Sequence, residues 1–275
     1  MAHLNPDYQI PHLSASPILN SSVARNSPGM LTFYVWEKRP MPLLECDAII
    51  LKTYPLGEAD RIVAFFSREH GKVRGVANGA RRMKNRFGAS LEPLTHSHIQ
   101  FFERENRDLV RIQTAEILDS PMALYTDYDR AVFAGQLVDL TDRFLPEHQP
   151  HDAVFRLVRM MMQAVIKECP LDIAACYFEV WMLRLAGVFP DLFRCSVCSK
   201  TLDAAEERHL ARGLQAVVCG TCDHSGGVAM MAEVPLVLYW VLKNRLEGTP
   251  PGGCERGTKN LRELNQYWIR NYFER

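Results

Sequence analysis

The sequence predicts an α+β protein of more than one domain, in which a small amino-terminal β-barrel precedes an all-α domain with an inserted zinc-ribbon-like element. Three observations predict this class. Strand-like runs crowd into residues 46–117, helical periodicity begins near residue 122, and two Cys-x-x-Cys pairs interrupt the helical part. The 275 residues, of which 47% are apolar, are enough for one large domain or two to three small ones.

Five runs with strand character follow one another in the amino-terminal part. They are residues 47–53, 61–67, 72–77, 97–104 and 109–116. Short connections containing glycine favour hairpins among the first three, and the last two partly alternate apolar with polar residues, as half-buried strands do. A closed or nearly closed barrel fits this count, and we expect an OB-type barrel over residues 41–120 that binds DNA. A small sandwich or an SH3-like barrel fits nearly as well.

Residues 121–275 have the periodicity of helices. We expect helices near residues 122–145, 154–165, 171–187, 233–248 and 260–275. The third is apolar nearly all round, so it should be buried. Gly187 is placed to cap it and Pro190 to end it.

Residues 1–40 are rich in proline, serine and asparagine and show no period. This composition predicts a disordered leader or a mis-assigned start, with Met30 and Met41 as alternative starts. No predicted functional residue lies in this segment. The chain has no apolar run of the roughly 18 to 20 residues that a bilayer requires. With no export signal and four scattered cysteines, we expect a cytoplasmic protein.

Four cysteines form two close pairs within an element at about residues 193–225. Their spacing is Cys195-x₂-Cys198-x₂₀-Cys219-x₂-Cys222. Two such pairs supply the four thiolates of a tetrahedral Zn²⁺ site, and four protein ligands leave no position for a catalytic water. We therefore expect one structural zinc ion. Two redox pairs are the alternative, and His209 or His224 could compete as ligands.

Catalytic signatures are missing from the sequence. It contains no Walker A loop, no G-x-G-x-x-G, no H-E-x-x-H and no G-x-S-x-G. Glu58 and Asp60 could form a metal pair, although their pattern is more typical of a turn. We expect a protein that is not an enzyme, with a metal-dependent nuclease as the enzymatic alternative.

Positive charge is concentrated between residues 71 and 88, although the whole chain carries 32 basic and 32 acidic residues. The cations of this stretch are Lys72, Arg74, Arg81, Arg82, Lys84 and Arg86, and no acidic residue lies among them. A charge run is most often a solvated loop. A local basic face can nevertheless attract a polyanion whatever the net charge, and we expect Lys52 and Arg61 to extend it.

Glycines and phenylalanines accompany these cations. Gly75, Gly79 and Gly88 would allow a ligand to approach the backbone closely. Outward-facing phenylalanines would give bases a stacking platform. The candidates are Phe87 and the outward member of each of the pairs Phe65–Phe66 and Phe101–Phe102, since one member of each pair should belong to the core. A basic groove with an aromatic platform on a small barrel is the arrangement that binds single strands.

The chain resembles the family of the bacterial recombination mediator RecO. The segments that carry the resemblance are "DAIILKTYPLGEADRIVAFFSREHGKV", "GARRMKNRFGASLEP", the "AE" at 115–116, "GVFPDLFRCSVC" and "VCGTC". The resemblance assigns the cations of residues 72–86 to DNA and the four paired cysteines to zinc. Asn78 stands where many relatives have lysine, and residues 1–40 have no counterpart.

The resemblance implies a DNA repair and recombination protein that works without covalent chemistry. Such proteins bind single- and double-stranded DNA and anneal complementary strands. They work with RecR, often with RecF, to help RecA replace the single-strand-binding protein SSB, and they are associated with the nucleoid. The groove for the SSB tail lies in the helical part, but no sequence motif marks it. An RNA-binding or transcription-associated protein with the same barrel and zinc ribbon is the alternative.

Overall fold

The structure, a computed structural model, describes residues 42–103, 108–203, 206–211, 216–224, 226–246 and 254–274. All of them belong to one compact unit that runs from Met41 to Arg275. The leader predicted at residues 1–40 lies outside the described residues. Within them, strands come first and helices follow, so the predicted α+β class is confirmed.

Five strands close into a barrel at the amino-terminal end of the unit. They are β1 (Leu43–Leu56), β2 (Asp60–Ser67), β3 (Gly71–Ala77), β4 (His96–Phe102) and β5 (Val110–Asp119). Around the barrel the order is β1-β2-β3-β5-β4, and β1 pairs with β4 to complete the closure. All pairs are antiparallel except β3 with β5, which is parallel.

The length of β1 makes the closure possible. Its 14 residues pair with β4 along the first half and with β2 further along, and the register shifts between Ile50 and Lys52. Such a bulge bends a strand, so that one strand can belong to two sides of a barrel. Gly75 permits the close approach of β3 and β5, because a Cβ there would lie 2.8 Å from a side-chain carbon of Ile112.

Where β1 and β2 pair, residues 48–51 and 63–67 are buried on both faces of the barrel wall. Alternate residues such as Ile50 and Phe65 fill the barrel interior. Their neighbours Ile49 and Phe66 point the other way, into the larger core shared with the helices. The ring centroids of Phe66 and Phe155 lie 5.7 Å apart in an edge contact. The barrel and the helices are therefore packed together through this wall.

Five helices and one short 3₁₀ helix, Met122–Tyr125, follow the barrel in the described residues. The helices are α1 (Tyr128–Phe144), α2 (Asp152–Ile166), α3 (Leu171–Leu185), α4 (Val234–Lys243) and α5 (Glu255–Phe273). Asp127 caps α1 by accepting a hydrogen bond from the backbone of Arg130 at 2.9 Å. Gly187 adopts the left-handed conformation just beyond α3, as predicted. No helix of the described residues is both long and apolar enough to cross a membrane.

A small antiparallel sheet lies between α3 and α4 in the chain. Its strands, in the order β7-β6-β8, are β6 (Arg208–Leu210), β7 (Val217–Cys219) and β8 (Val228–Ala229). Leu202, Leu210 and Val217 are buried in the core that they share with the helices. This element therefore packs onto the helical part as well as containing the paired cysteines.

Candidate nucleic-acid interface and metal centre

The four paired cysteines meet at one point. Their Sγ atoms all lie within 4.8 Å of one another, and the Sγ atoms of Cys198 and Cys219 are 3.9 Å apart. A tetrahedral site with Zn–S bonds of about 2.3 Å has sulfur atoms about 3.8 Å apart, so the cluster could bind a metal ion of that kind. One pair lies in the loop after α3, and the other begins at the end of β7.

Backbone amides favour the thiolate form of Cys195. Burial raises the pKa of this thiol, but hydrogen bonds from the backbone of Cys198, Cys219 and Val197 outweigh burial and lower the pKa to about 6. The amide of Cys219 lies 3.4 Å from the Cys195 sulfur. Because metals bind the thiolate, these backbone hydrogen bonds favour Cys195 as a metal ligand.

The two histidines considered as competing ligands lie outside this cluster. His209 Nδ1 is 2.9 Å from a carboxylate oxygen of Asp223. His224 is exposed. Within the described part of the chain, the group of side chains that could hold a metal consists of the four cysteines alone.

Arg208 stabilises the cysteine element through buried hydrogen bonds. Nothing in the sequence pattern predicted this role. Its buried guanidinium donates hydrogen bonds of 2.5 to 2.9 Å to four backbone carbonyls. The acceptors are Leu192, Leu202, Asp203 and Glu206. In the sheet, Arg208 is also the partner of Cys219. One side chain therefore ties together the segments on either side of the first cysteine pair.

The densest positive charge lies on an ordered loop between β3 and β4, residues 78–88, which we call the cationic loop. The carboxylate of Asp60 accepts a hydrogen bond from Gly79 at 2.7 Å, and the backbone of Arg81 donates to Ala59 at 2.9 Å. Phe87 is buried in the barrel interior and anchors the far end of the loop. Asp60 therefore stabilises the start of the cationic loop, in keeping with the turn that its sequence pattern favours.

Four cations project from the cationic loop into solvent. They are Arg81, Arg82, Lys84 and Arg86, and all four are exposed. Arg81 also donates to the carbonyl of Gly57 at 2.6 Å, and Arg86 lies 4.7 Å from the ring centroid of Phe87. Among the described residues, none of the four forms a salt bridge with a carboxylate. Their charge is therefore available to an external anion.

The remaining predicted cations have acidic partners inside the protein. Arg74 is exposed and pairs with Glu147 at 2.8 Å, and Arg61 pairs with Glu92 at 3.0 Å. The ammonium group of Lys72 is buried. The pairs of Lys52 and Lys72 with α1 connect the barrel to the helices. The structure thus does not bring these four cations together with the cationic loop on one uncompensated surface.

The predicted aromatic platform is wrong for Phe87 and for the Phe65–Phe66 pair, of which neither member faces outward. Phe65, Phe66, Phe87 and Phe101 are all buried. Only Phe102 is half-buried. Strand alternation predicts one buried and one outward residue in each adjacent pair, but the helices cover the outer face of β2. Gly75 likewise faces the barrel interior and offers no approach to a ligand.

Comparison with known proteins matches this organisation. The family model described as "Recombination protein O N terminal" matches residues 41–121, and "Recombination protein O C terminal" matches residues 125–244. A DNA repair protein RecO of Anaeromyxobacter dehalogenans (strain 2CP-C) is 32% identical over 66% of this chain and 71% of its own length.

The chain belongs to the RecO family. A RecO of Koribacter versatilis (strain Ellin345) is 42% identical over 58% of this chain and 66% of its own length. A RecO of Nocardioides sp. (strain ATCC BAA-499 / JS614) is 31% identical over 80% and 88%. The first RecO family model ends where the barrel ends, and the second begins just before α1. The resemblance drawn from the sequence is therefore confirmed.

Proposed function

We propose that this chain is a RecO-type mediator that binds single- and double-stranded DNA and anneals complementary strands. A role in DNA repair and recombination comes with membership in the RecO family. In the proposed reaction the protein works with RecR, and in some settings RecF, to help RecA replace SSB. The partners follow from the family resemblance, and the SSB tail would bind to the helical part.

The observation that carries the proposal is the set of four exposed, uncompensated cations on the cationic loop. Two DNA strands repel one another through their phosphates, and a cationic surface that neutralises some of that charge lowers the barrier to pairing. No covalent step is needed. The strand order β1-β2-β3-β5-β4 with a parallel β3–β5 pair supports the assignment of an OB-type barrel, a fold often used for single strands.

Burial and ion pairing support a smaller DNA-contacting set than the one predicted from sequence. We retain four residues as phosphate contacts: Arg81, Arg82, Lys84 and Arg86. Arg74, which is exposed but paired with Glu147, is a peripheral candidate. Lys72 leaves the set because its ammonium group is buried and bonded. Lys52 and Arg61 are half-buried and paired with carboxylates, so we assign them to structure as well.

We propose one structural zinc ion held by Cys195, Cys198, Cys219 and Cys222. The spacing of the sulfur atoms and the all-thiolate ligand set fit Zn²⁺, and four protein ligands leave no open position for catalysis. The ion would stabilise the element between α3 and α4. It would take no part in chemistry on DNA.

The decisive experiment is an annealing assay on SSB-coated complementary strands, with and without the protein. We expect faster duplex formation with the wild-type chain and little acceleration when Arg82, Lys84 and Arg86 are changed to glutamine. Equal rates with and without the wild-type protein would refute the proposal. Tighter binding to RNA than to DNA of equal length at matched salt would favour the RNA-binding alternative.

A further inference from the structure

A cavity of about 430 Å³ opens where the cationic loop ends. On one side it is lined by Ala89, Glu92 and Pro93, which follow the loop directly. On the other side it is lined by Pro121, Met122 and Tyr125, at and before the 3₁₀ helix. Its size is within the range of about 300 to 1,000 Å³ typical of small-ligand sites. We call it the loop-end pocket.

The walls of the loop-end pocket are fixed by hydrogen bonds and burial. The Tyr125 hydroxyl donates to the carbonyl of Pro93 at 3.2 Å and so joins the two sides. Leu124 is fully buried and anchors the 3₁₀ helix. Leu94 is also fully buried and has a φ of 60°, a conformation that leucine adopts only where the surrounding structure holds it. The pocket is therefore formed before any ligand arrives.

The pocket presents apolar surface that the fold leaves uncovered. Met122 is 71% exposed and Tyr125 is 42% exposed. A polarisable thioether and an aromatic ring are both good contact surfaces for a flat, unsaturated ligand. Four of the five phenylalanines considered for stacking are buried, whereas this apolar surface is exposed and directly follows the cationic loop in the chain.

The cationic loop and the pocket are neighbours along the chain. Arg86 precedes Ala89 by three residues, so their Cα atoms are at most about 11 Å apart, the length of about three nucleotides of a B-form strand. A ligand that satisfies both must carry phosphates and apolar rings at nucleotide spacing. This complementarity selects a single-stranded nucleic acid.

We propose that the loop-end pocket receives an unpaired base of a DNA strand whose phosphates lie along the cationic loop. This inference rests on the proposed function and adds a base-binding subsite to it. The carboxylate of Glu92 at the rim is held by Arg61 at 3.0 Å and can accept a hydrogen bond from an exocyclic amine of the base. A base that is paired within a duplex cannot enter, so the subsite favours the single strand.

The test compares two oligonucleotides of equal charge and of about 16 nucleotides, the upper site size for one such barrel. One is an oligocytidine DNA strand, and the other has abasic units in place of every nucleotide. The wild-type chain should bind the strand with bases more tightly. Met122→Ala and Tyr125→Ala should each weaken binding of that strand by about 5- to 150-fold and leave binding of the abasic strand unchanged.

Two controls keep the outcome clear. Tyr125→Phe removes the hydrogen bond to Pro93 but keeps the ring, so it should retain the preference for bases. Met122 is largely exposed, so its substitution tests the pocket even if a change at Tyr125 disturbs the fold. A wild-type chain that binds both strands equally would overturn the pocket while leaving the proposed function intact, whereas failure to bind either strand would overturn both. Equal losses for both strands in the Met122→Ala variant would also reject the subsite.

Discussion

The ammonium group of Lys72 on β3 lies 2.6 Å from the backbone carbonyl oxygen of Asp142 and 3.2 Å from its carboxylate on α1. The Lys52 ammonium approaches the other carboxylate oxygen at 3.0 Å. Burial raises the pKa of Asp142, but hydrogen bonds and charge from the two lysines outweigh it and hold that pKa below its usual value. Two cations of the barrel therefore share one carboxylate of the helical part.

Replacing Lys72 should affect stability and leave DNA binding intact. Lys72→Met removes a buried donor and leaves the carbonyl of Asp142 without that bond, so we expect a loss of about 2 kcal/mol in the free energy of unfolding. Chemical denaturation measures this loss. Lys84→Met is the matched control because its side chain is exposed on the cationic loop. It should leave stability unchanged and weaken DNA binding. If Lys72→Met instead weakened DNA binding and left stability unchanged, Lys72 would have to be counted among the DNA contacts.

The strands and the cysteine cluster were predictable because their signals are local. Alternation within a few residues marks a strand, and two Cys-x-x-Cys pairs separated by a short segment indicate a common metal. The fate of Lys72 was not predictable in this way. Its partner lies 70 residues further along the chain, and nothing near Lys72 distinguishes it from Lys84. A count of basic residues in the sequence therefore overestimates the positive charge that is available at the surface.

The burial of Phe66 shows a second limit of sequence reasoning. A strand with one solvated face alternates, but β2 reads "DRIVAFFS" because its residues 63–67 are buried against the barrel interior on one side and the helices on the other. The sequence contained this signal as a continuous apolar run. It could not reveal which element covers the second face, because that depends on helices that follow some 60 residues later in the chain, where Phe133 packs into the same core.

Neutralising the cationic loop should reduce the salt dependence of DNA binding. Each phosphate contact contributes about −0.7 to the slope of log affinity against log salt on single strands, so four contacts give about −3. The triple variant Arg82→Gln, Lys84→Gln, Arg86→Gln should flatten the slope by about 2. Titrations of labelled single strands at several salt concentrations measure it.

A matched triple variant controls for net charge. Lys167, Lys243 and Lys259 are exposed cations of the helical part, and their change to glutamine removes the same total charge. We expect this control to keep a slope close to that of the wild type. Equal flattening in both triple variants would mean that the DNA responds to overall charge and not to the cationic loop.

Glu179 should make stability depend on pH near neutrality. Burial raises its pKa to about 7, although Arg262 and a hydrogen bond from Asn265 oppose the shift. The folded state therefore binds this proton more tightly than the unfolded chain, in which a glutamate has its ordinary pKa of 4.5. Proton binding by Glu179 stabilises the folded state fully below pH 4.5. This stabilisation, up to about 3 kcal/mol in the free energy of unfolding, decreases as the pH rises from 4.5 and is lost above about pH 7.

The variant Glu179→Gln removes the titrating proton while keeping the shape of the side chain. At pH 8 it should be more stable than the wild type, and the difference should shrink towards pH 5. Unfolding titrations across this range measure both curves. Asp172→Asn is the control, because Asp172 is an exposed carboxylate that also contacts Arg262. A Glu179→Gln chain with the pH dependence of the wild type would show that another group titrates.

Arg208 should control how tightly the cysteine cluster binds the proposed zinc ion. Arg208→Met leaves four backbone carbonyls without their donor and loosens the segments around Cys195. Removing a group that orients metal ligands commonly costs about 10- to 100-fold in metal affinity, and we expect a loss in that range. Competition with a chromophoric chelator measures this loss of affinity.

Arg194→Met, which changes an exposed arginine next to Cys195, is the control and should keep wild-type zinc affinity. Because the cationic loop lies on the barrel, DNA binding should survive in both variants. An Arg208→Met chain that binds zinc as tightly as the wild type would show that the cysteine loops hold their geometry without this brace.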